Sequence, residues 1–197
     1  MIEDDYDAEY RYDRQPLGAL QGLAPDRVIY MGTVSKTLAP ALRLGWLVLP
    51  AHLVEPVAEQ RELADLGAPT LDQLALARLI SSGAYDRHLR LARRSYLTRR
   101  GALIGAVERH LPRARVTGVA AGLHAIVRLG RDVDSASLVQ AARRHSVAVY
   151  PLGSCFMRSP AVDDGLVLGY GNLTERDIEE GVRRLAHALL ECTGAHT

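Results

Sequence analysis

Residues 28–50 read VIYMGTVSKTLAPALRLGWLVLP. Val28–Thr33 is a short β-branched and aromatic run that predicts a strand, and Arg43–Leu49 predicts a second one, stopped by Pro50. Both are continuously apolar rather than alternating, the pattern of strands buried on both faces of an α/β sheet. Upstream, Met1–Asp5 reads as the end of a strand running into a carboxylate-rich loop. Downstream, Val54–Leu66 repeats at helical spacing until Gly67-Ala68-Pro69 breaks it. A long helical stretch then opens with Thr70 as N-cap, kinks or breaks at Ser82-Gly83 and ends at Pro112. Gly122–Leu129 alternates like a half-buried strand, and Asp134–Arg144 predicts a helix capped by Asp134 or Ser135. Short strands are expected at Val147–Tyr150 and Gly165–Tyr170, and Thr174 caps a final amphipathic helix with an acidic first turn. The pattern is α/β, then a long helix, then a small α+β unit, with the expected domains at residues 1–100 and 101–197.

Composition narrows the function classes. With 48% hydrophobic residues, 17 Gly and 9 Pro in 197 positions, the chain is neither a disordered tail nor a low-complexity linker. A chain this long buries roughly 70% of its unfolded surface and needs no staples. Cys155 and Cys192 are too few and too far apart for a disulfide framework or a zinc knuckle. The longest apolar run, Leu44–Leu49, is far short of the ~18 residues of a membrane span. The carboxylate-dense start resembles no signal peptide, so a cytoplasmic protein is expected, with no membrane partner. A net charge of +1 offers no electrostatic reason to bind nucleic acid.

The basic residues are lopsided. Of 24, only Lys36 is lysine. A GC-rich coding background turns surface lysines into arginines without consequence, and one lysine can survive by chance. Chemistry can also retain it, because arginine cannot lose its proton to act as an amine nucleophile. The neighbourhood decides between the two.

Three clusters of residues carry potential chemistry. The run Glu3-Asp4-Asp5-Tyr6-Asp7-Ala8-Glu9 offers oxygens to a hard cation, but it lacks the alternate spacing and distal Glu of a calcium loop. Metal, a solvated acidic loop and a carboxylate–phenol site all stay open. The segment Gly32–Arg43 follows a strand, where open α/β sheets place their ligands. It holds Thr33, Ser35, Thr37, Lys36 and Arg43 without the spacing of a Walker loop. An amine, hydroxyls, a guanidinium and a nearby carboxylate and phenol are the inventory required by pyridoxal 5'-phosphate (PLP). The third cluster, the arginines of Asp86–Arg100, could track a phosphate backbone, but it reads better as the solvated face of a helix whose Leu89, Tyr96 and Leu97 pack inward. The histidines show no zinc-binding spacing, and no helix-turn-helix or G-x-S-x-G pattern is present.

EDDYDAEYRYD and VIYMGTVSKTLAPALRLGWLVLP closely resemble the aminotransferase-like domain of MocR-type (GntR-family) regulators, among the fold-type-I PLP-dependent proteins. QLALARLISSGAYDRHLRLARRSYLTRR, AAGLHAIVRL and LVLGYGNLTERDIEEGVRRLA follow in the same order as in that family. The resemblance implies Lys36 as the Schiff-base lysine, Asp4 as partner of the pyridine nitrogen and Tyr6 as partner of the ring oxygen. Thr33, Ser35 and Arg43 would hold the phosphate. Asp4 is preferred over Asp5 because a D-x-Y pair on a strand puts both side chains on one face.

Two departures from the family pattern shape the expectation. The sequence starts at the strand carrying Asp4, whereas similar proteins have a winged-helix DNA-binding domain and half of the large domain upstream. The fold class expected is therefore the C-terminal portion of a fold-type-I transferase: a partial large-domain sheet, a long linking helix and a small α+β domain, with no DNA-binding module. The strand near the C-terminus, Leu166-Val167-Leu168-Gly169-Tyr170, lacks the arginine that binds a substrate carboxylate in related aminotransferases, so that either Arg158 in the preceding loop substitutes for it or the natural ligand is no α-carboxylate amino acid. The reading is a PLP-binding domain that senses or transaminates a small amine or amino acid, expected by family analogy as a homodimer. The alternatives are the effector-binding part of a MocR-type regulator without its DNA-binding module, or an inactive truncated relic.

Overall fold

The computed structural model describes residues 1–5, 8–12, 18–67, 69–118, 121–130, 133–157 and 165–194. They form two compact units, Met1–Arg93 and Arg94–Thr197.

In the first unit, β1 (Ile2–Asp5) runs parallel to β2 (Ile29–Thr33), and β3 (Gly45–Val48) pairs antiparallel to β2. A parallel pair needs a crossover, and α1 (Leu20–Leu23) lies in it. The register sets Asp4 beside Met31 and Asp5 beside Gly32, so the two carboxylates point to opposite faces. Then come α2 (Ala51–Asp65), α3 (Thr70–Ser81) and α4 (Ala84–His110). Between α3 and α4 the Ser82 N–H closes on the Arg78 carbonyl, and Gly83 takes φ +69°, which ends one helix and re-aims the next. Thr70 is the first residue of α3 rather than its cap; Pro69 precedes it and makes no side-chain capping bond.

Burial on both faces does not hold for these strands. Met31, Leu47 and Val48 are 37%, 46% and 41% exposed. Among the described residues the sheet has three strands, and neither α2 nor α3 buries a side chain fully.

The second unit has a conventional core. Its sheet runs β4 (Arg115–Thr117), β5 (His124–Arg128), β7 (Gly165–Gly169), β6 (Tyr150–Pro151), all neighbours antiparallel. Ala125 and Val127 of β5 are buried, and their neighbours along the strand are less so, as the alternation predicts. The later turns of α4, α5 (Ser135–Arg144) and α6 (Glu175–Gly194) pack on this sheet through Leu103, Val107, Leu138, Val182 and Leu185. Each fully buried aliphatic side chain contributes roughly 1.5–3 kcal/mol. The Tyr170 hydroxyl is buried with them and donates to the Gly122 carbonyl at 2.7 Å.

Asp134 is the cap of α5, accepting the Ala136 and Ser137 N–H groups at 3.2 and 3.0 Å. Thr174 and Asp177 form a reciprocal capping box at the start of α6. The strand expected at Val147–Tyr150 is instead Tyr150–Pro151. Ser146 is left-handed at φ 60°, and the Ser146 and Val147 N–H groups bond back to the Arg143 and Ala142 carbonyls. Those residues terminate α5 as a Schellman motif and are unavailable to a ladder. Two Arg–His pairs tie α6 to its neighbours: Arg109 and His110 to Glu179, and Arg144 and His145 to Glu191. No described helix is long and apolar enough to cross a membrane.

Candidate functional site at the lysine loop

β2 ends at Thr33, and the chain makes an excursion before β3 begins at Gly45. The Val34 N–H donates to the Leu44 carbonyl at 3.2 Å and closes the base of the excursion. The Thr33 hydroxyl donates to the same carbonyl at 3.0 Å, accepts the Ser35 N–H at 3.2 Å and lies 3.0 Å from the Ser35 hydroxyl. One proton cannot serve two acceptors, so the Thr33 proton goes to the carbonyl, which can only accept. The Leu38 N–H then closes one helical turn on the Val34 carbonyl at 2.8 Å. Lys36 and Ser35 ride on this turn half-buried, between the fully buried Val34 and Thr37, which is 2% exposed.

Thr37 is held from α4. Its hydroxyl meets the Tyr85 hydroxyl at 2.8 Å, and the His88 Nε2–H donates to its backbone carbonyl at 2.6 Å. Burial raises the Tyr85 pKa, so the phenol stays protonated. Arg43, which follows a 3₁₀ turn at Pro40–Leu42, is exposed and left-handed at φ 52°. A non-glycine residue there carries strain of order 1–2 kcal/mol.

The acidic run divides its labour. The Glu3 carboxylate accepts the Leu20 and Gln21 N–H groups at 2.9 and 3.0 Å, capping α1. The Asp5 carboxylate accepts the Tyr30 hydroxyl at 3.1 Å. Burial, that hydrogen bond and the charges of Asp5, Glu9 and Glu3 push the Tyr30 pKa up to about 12. Asp4 stays exposed on the other face. Among the described residues, no three His, Cys, Asp or Glu side chains come together as metal ligands. Asp4 at the end of β1 and Lys36 just beyond β2 thus lie at the carboxyl ends of adjacent parallel strands, with Ser35 on the same turn. Tyr6 and Arg158 lie outside the described residues.

The sequence reading missed Thr37, Tyr85 and His88 as a group. The signal was the three-residue spacing of Tyr85 and His88 directly after a helix break, which puts both on one face. The reading of the arginine-rich helix needs one correction: Leu97 is 51% exposed rather than packed inward. Arg99 is committed inside the second unit, donating to the Gly171 carbonyl and lying over the Tyr96 ring.

No protein-family model matches the chain. Among curated proteins it is 37% identical over 190 residues to the HTH-type transcriptional regulator YhdI of Bacillus subtilis, covering 95% of this chain and 40% of that protein. It is also 37% identical over 201 residues to the probable rhizopine catabolism regulatory protein MocR of Rhizobium meliloti, covering 99% of this chain and 40% of the relative. The chain therefore spans about 40% of the length of these relatives. Among solved structures, the α-aminoadipate aminotransferase LysN of Thermus thermophilus, complexed with N-(5'-phosphopyridoxyl)-L-leucine, superposes with a TM-score of 0.86 at 29% identity. That match covers 98% of this chain and 51% of LysN. Over about 95% of its length, then, the chain has the fold of part of a fold-type-I aminotransferase and is similar in sequence to MocR-type regulators and aminotransferases alike.

Proposed function

We propose that the lysine loop is one side of a PLP site that takes up a small amine or amino acid. The observation that carries this reading is the chain's sole lysine, held on a turn between the buried Val34 and Thr37 just beyond the carboxyl end of β2. The donor set fits the cofactor's chemistry: an amine for its aldehyde, a carboxylate for its ring nitrogen, and a hydroxyl and guanidinium for its phosphate. PLP, when bound, supplies an electron sink. Lys36 Nζ would be the covalent tether for the cofactor's aldehyde and a base able to move a proton. The Asp4 carboxylate keeps the ring nitrogen protonated. Ser35 and Arg43 hold the phosphate, with Thr33 orienting Ser35 through the shared hydrogen bonds. Tyr6 is assigned to the ring oxygen and Arg158 to a substrate carboxylate. Family likeness supports a homodimer, which sedimentation of the purified chain tests.

Two outcomes of amine uptake are open to such a site, transamination and signalling. The stronger identity to HTH-type regulators favours signalling, with a small amine as the effector. The test is to mix the chain with PLP and record the visible spectrum, then trap with borohydride and map the adduct. A new band and a mass increase on the Lys36 peptide, both absent in Lys36→Ala, are expected. The spectrum of free PLP in both proteins refutes the reading. Amino acid and 2-oxo acid turnover then separates an enzyme from a sensor.

A further inference from the structure

Lys36 can turn and stretch its side chain, yet the backbone around it has little freedom. On its N-terminal side the Ser35 N–H is held by the Thr33 hydroxyl. On its C-terminal side, three contacts converge within two residues. The Thr37 hydroxyl meets Tyr85, the Thr37 carbonyl accepts from His88, and the Leu38 N–H closes on Val34. Tyr85 and His88 belong to the first turns of α4, three residues apart on one face, and Gly83 at φ +69° gives that helix its own direction. A buried threonine whose side chain and carbonyl are both bound from one helix face is a fixed point, and Lys36 is its immediate neighbour.

We infer that Tyr85 and His88 are positioning residues for Lys36, an assignment that rests on the reading of Lys36 as the cofactor tether. Neither residue needs to touch the cofactor. They act by holding the turn that aims the Lys36 amine, so that the reacting group is oriented before a ligand arrives. The His88 contact fixes its Nε2 as the protonated nitrogen, because a carbonyl can only accept. The Tyr85 contact holds the side chain of the same residue from within the buried interior.

The test uses His88→Leu, Tyr85→Phe and the conservative His88→Gln in the full chain. Since Lys36 is the only lysine, every side-chain amine adduct maps to one peptide. The first readout is the rate at which PLP plus borohydride marks that peptide; the second is its acetylation rate across pH, which needs no cofactor. The third is hydrogen exchange at the Leu38 amide. Loss of one neutral hydrogen bond at the turn slows PLP trapping in His88→Leu roughly fivefold and speeds Leu38 exchange by a similar factor. His88→Gln restores most of both. Equal trapping rates in His88→Leu and the parent, with Leu38 exchange raised, overturn the inference, because His88 would then only stabilise the loop. If the parent itself traps no PLP, the cofactor reading falls. The acetylation profile then decides alone, and an identical profile in His88→Leu overturns the positioning role. Unchanged exchange at the paired amides of β2 and β3, in the same unit as His88, shows that a variant is folded, and Tyr85→Phe replaces any His88→Leu chain that fails this control.

Discussion

Gly32 lies one residue before the end of β2, opposite Trp46 of β3. A Cβ built there would sit 2.4, 2.5 and 2.7 Å from the Cε2, Cζ2 and Nε1 atoms of the indole, well inside any real contact. Gly32→Ala thus forces the ring to move. Without the ring, the substitution would help: glycine within a strand costs roughly 0.5–1 kcal/mol relative to alanine, mostly in chain entropy. Overpacking works the other way, at about 1–3 kcal/mol. Trp46 is half-buried and can swing outward, which places the net cost near the lower end, about 1 kcal/mol. The sign is therefore diagnostic. Trp46 is also the only tryptophan, so its fluorescence reports on the first unit without interference. We expect red-shifted emission in Gly32→Ala and a lower urea midpoint at unchanged slope. In a Trp46→Ala background, followed by circular dichroism, the same substitution should be neutral or stabilising. A stabilised Gly32→Ala with unshifted emission would refute the close approach of indole and backbone.

Three further outcomes follow from the geometry. Leu138→Ala removes a fully buried side chain from the core of the second unit and should cost about 2–5 kcal/mol, seen as a lower midpoint in chemical denaturation. The Arg109 guanidinium, with His110, holds Glu179 at a pKa of about 2, and His145 with Arg144 lowers Glu191. A depressed carboxylate pKa stabilises the fold above the ordinary carboxylate range, and this is lost as pH falls from about 4.5 toward 2. Melting of the second unit should therefore drop over that window, and Glu179→Gln should flatten the drop. Tyr30, raised to about 12 by burial and Asp5, should titrate late in an ultraviolet pH scan, and Asp5→Asn should bring it back toward 10.0.

Much of the architecture is legible in local sequence, because its determinants are local. Pro50 and the Ser82-Gly83 break act through their own backbone preferences, and the Asp134 and Thr174 caps reach only two or three residues along the chain. The alternation of Gly122–Leu129 likewise reports one strand with one buried face. The opposite orientation of Asp4 and Asp5 follows from strand geometry alone. The isolation of Lys36 among arginines is visible by inspection and directs attention to the loop proposed as the site.

What the sequence could not state depends on residues far apart in the chain. Thr37 looks like one more hydroxyl beside a lysine until α4 brings Tyr85 and His88 to it, from 48 and 51 positions away. Glu3, read as a member of an acidic cluster, becomes the cap of α1 only because the crossover returns that helix to β1. Burial was likewise misjudged for β2 and β3. An apolar run reports what a strand would gain by being covered, whereas coverage is set by the helices that pack against it. Local preference therefore determined which segments are strands, helices and turns. Only the tertiary structure decided which polar groups became anchors, because a hydrogen bond across the chain depends on how the segments pack.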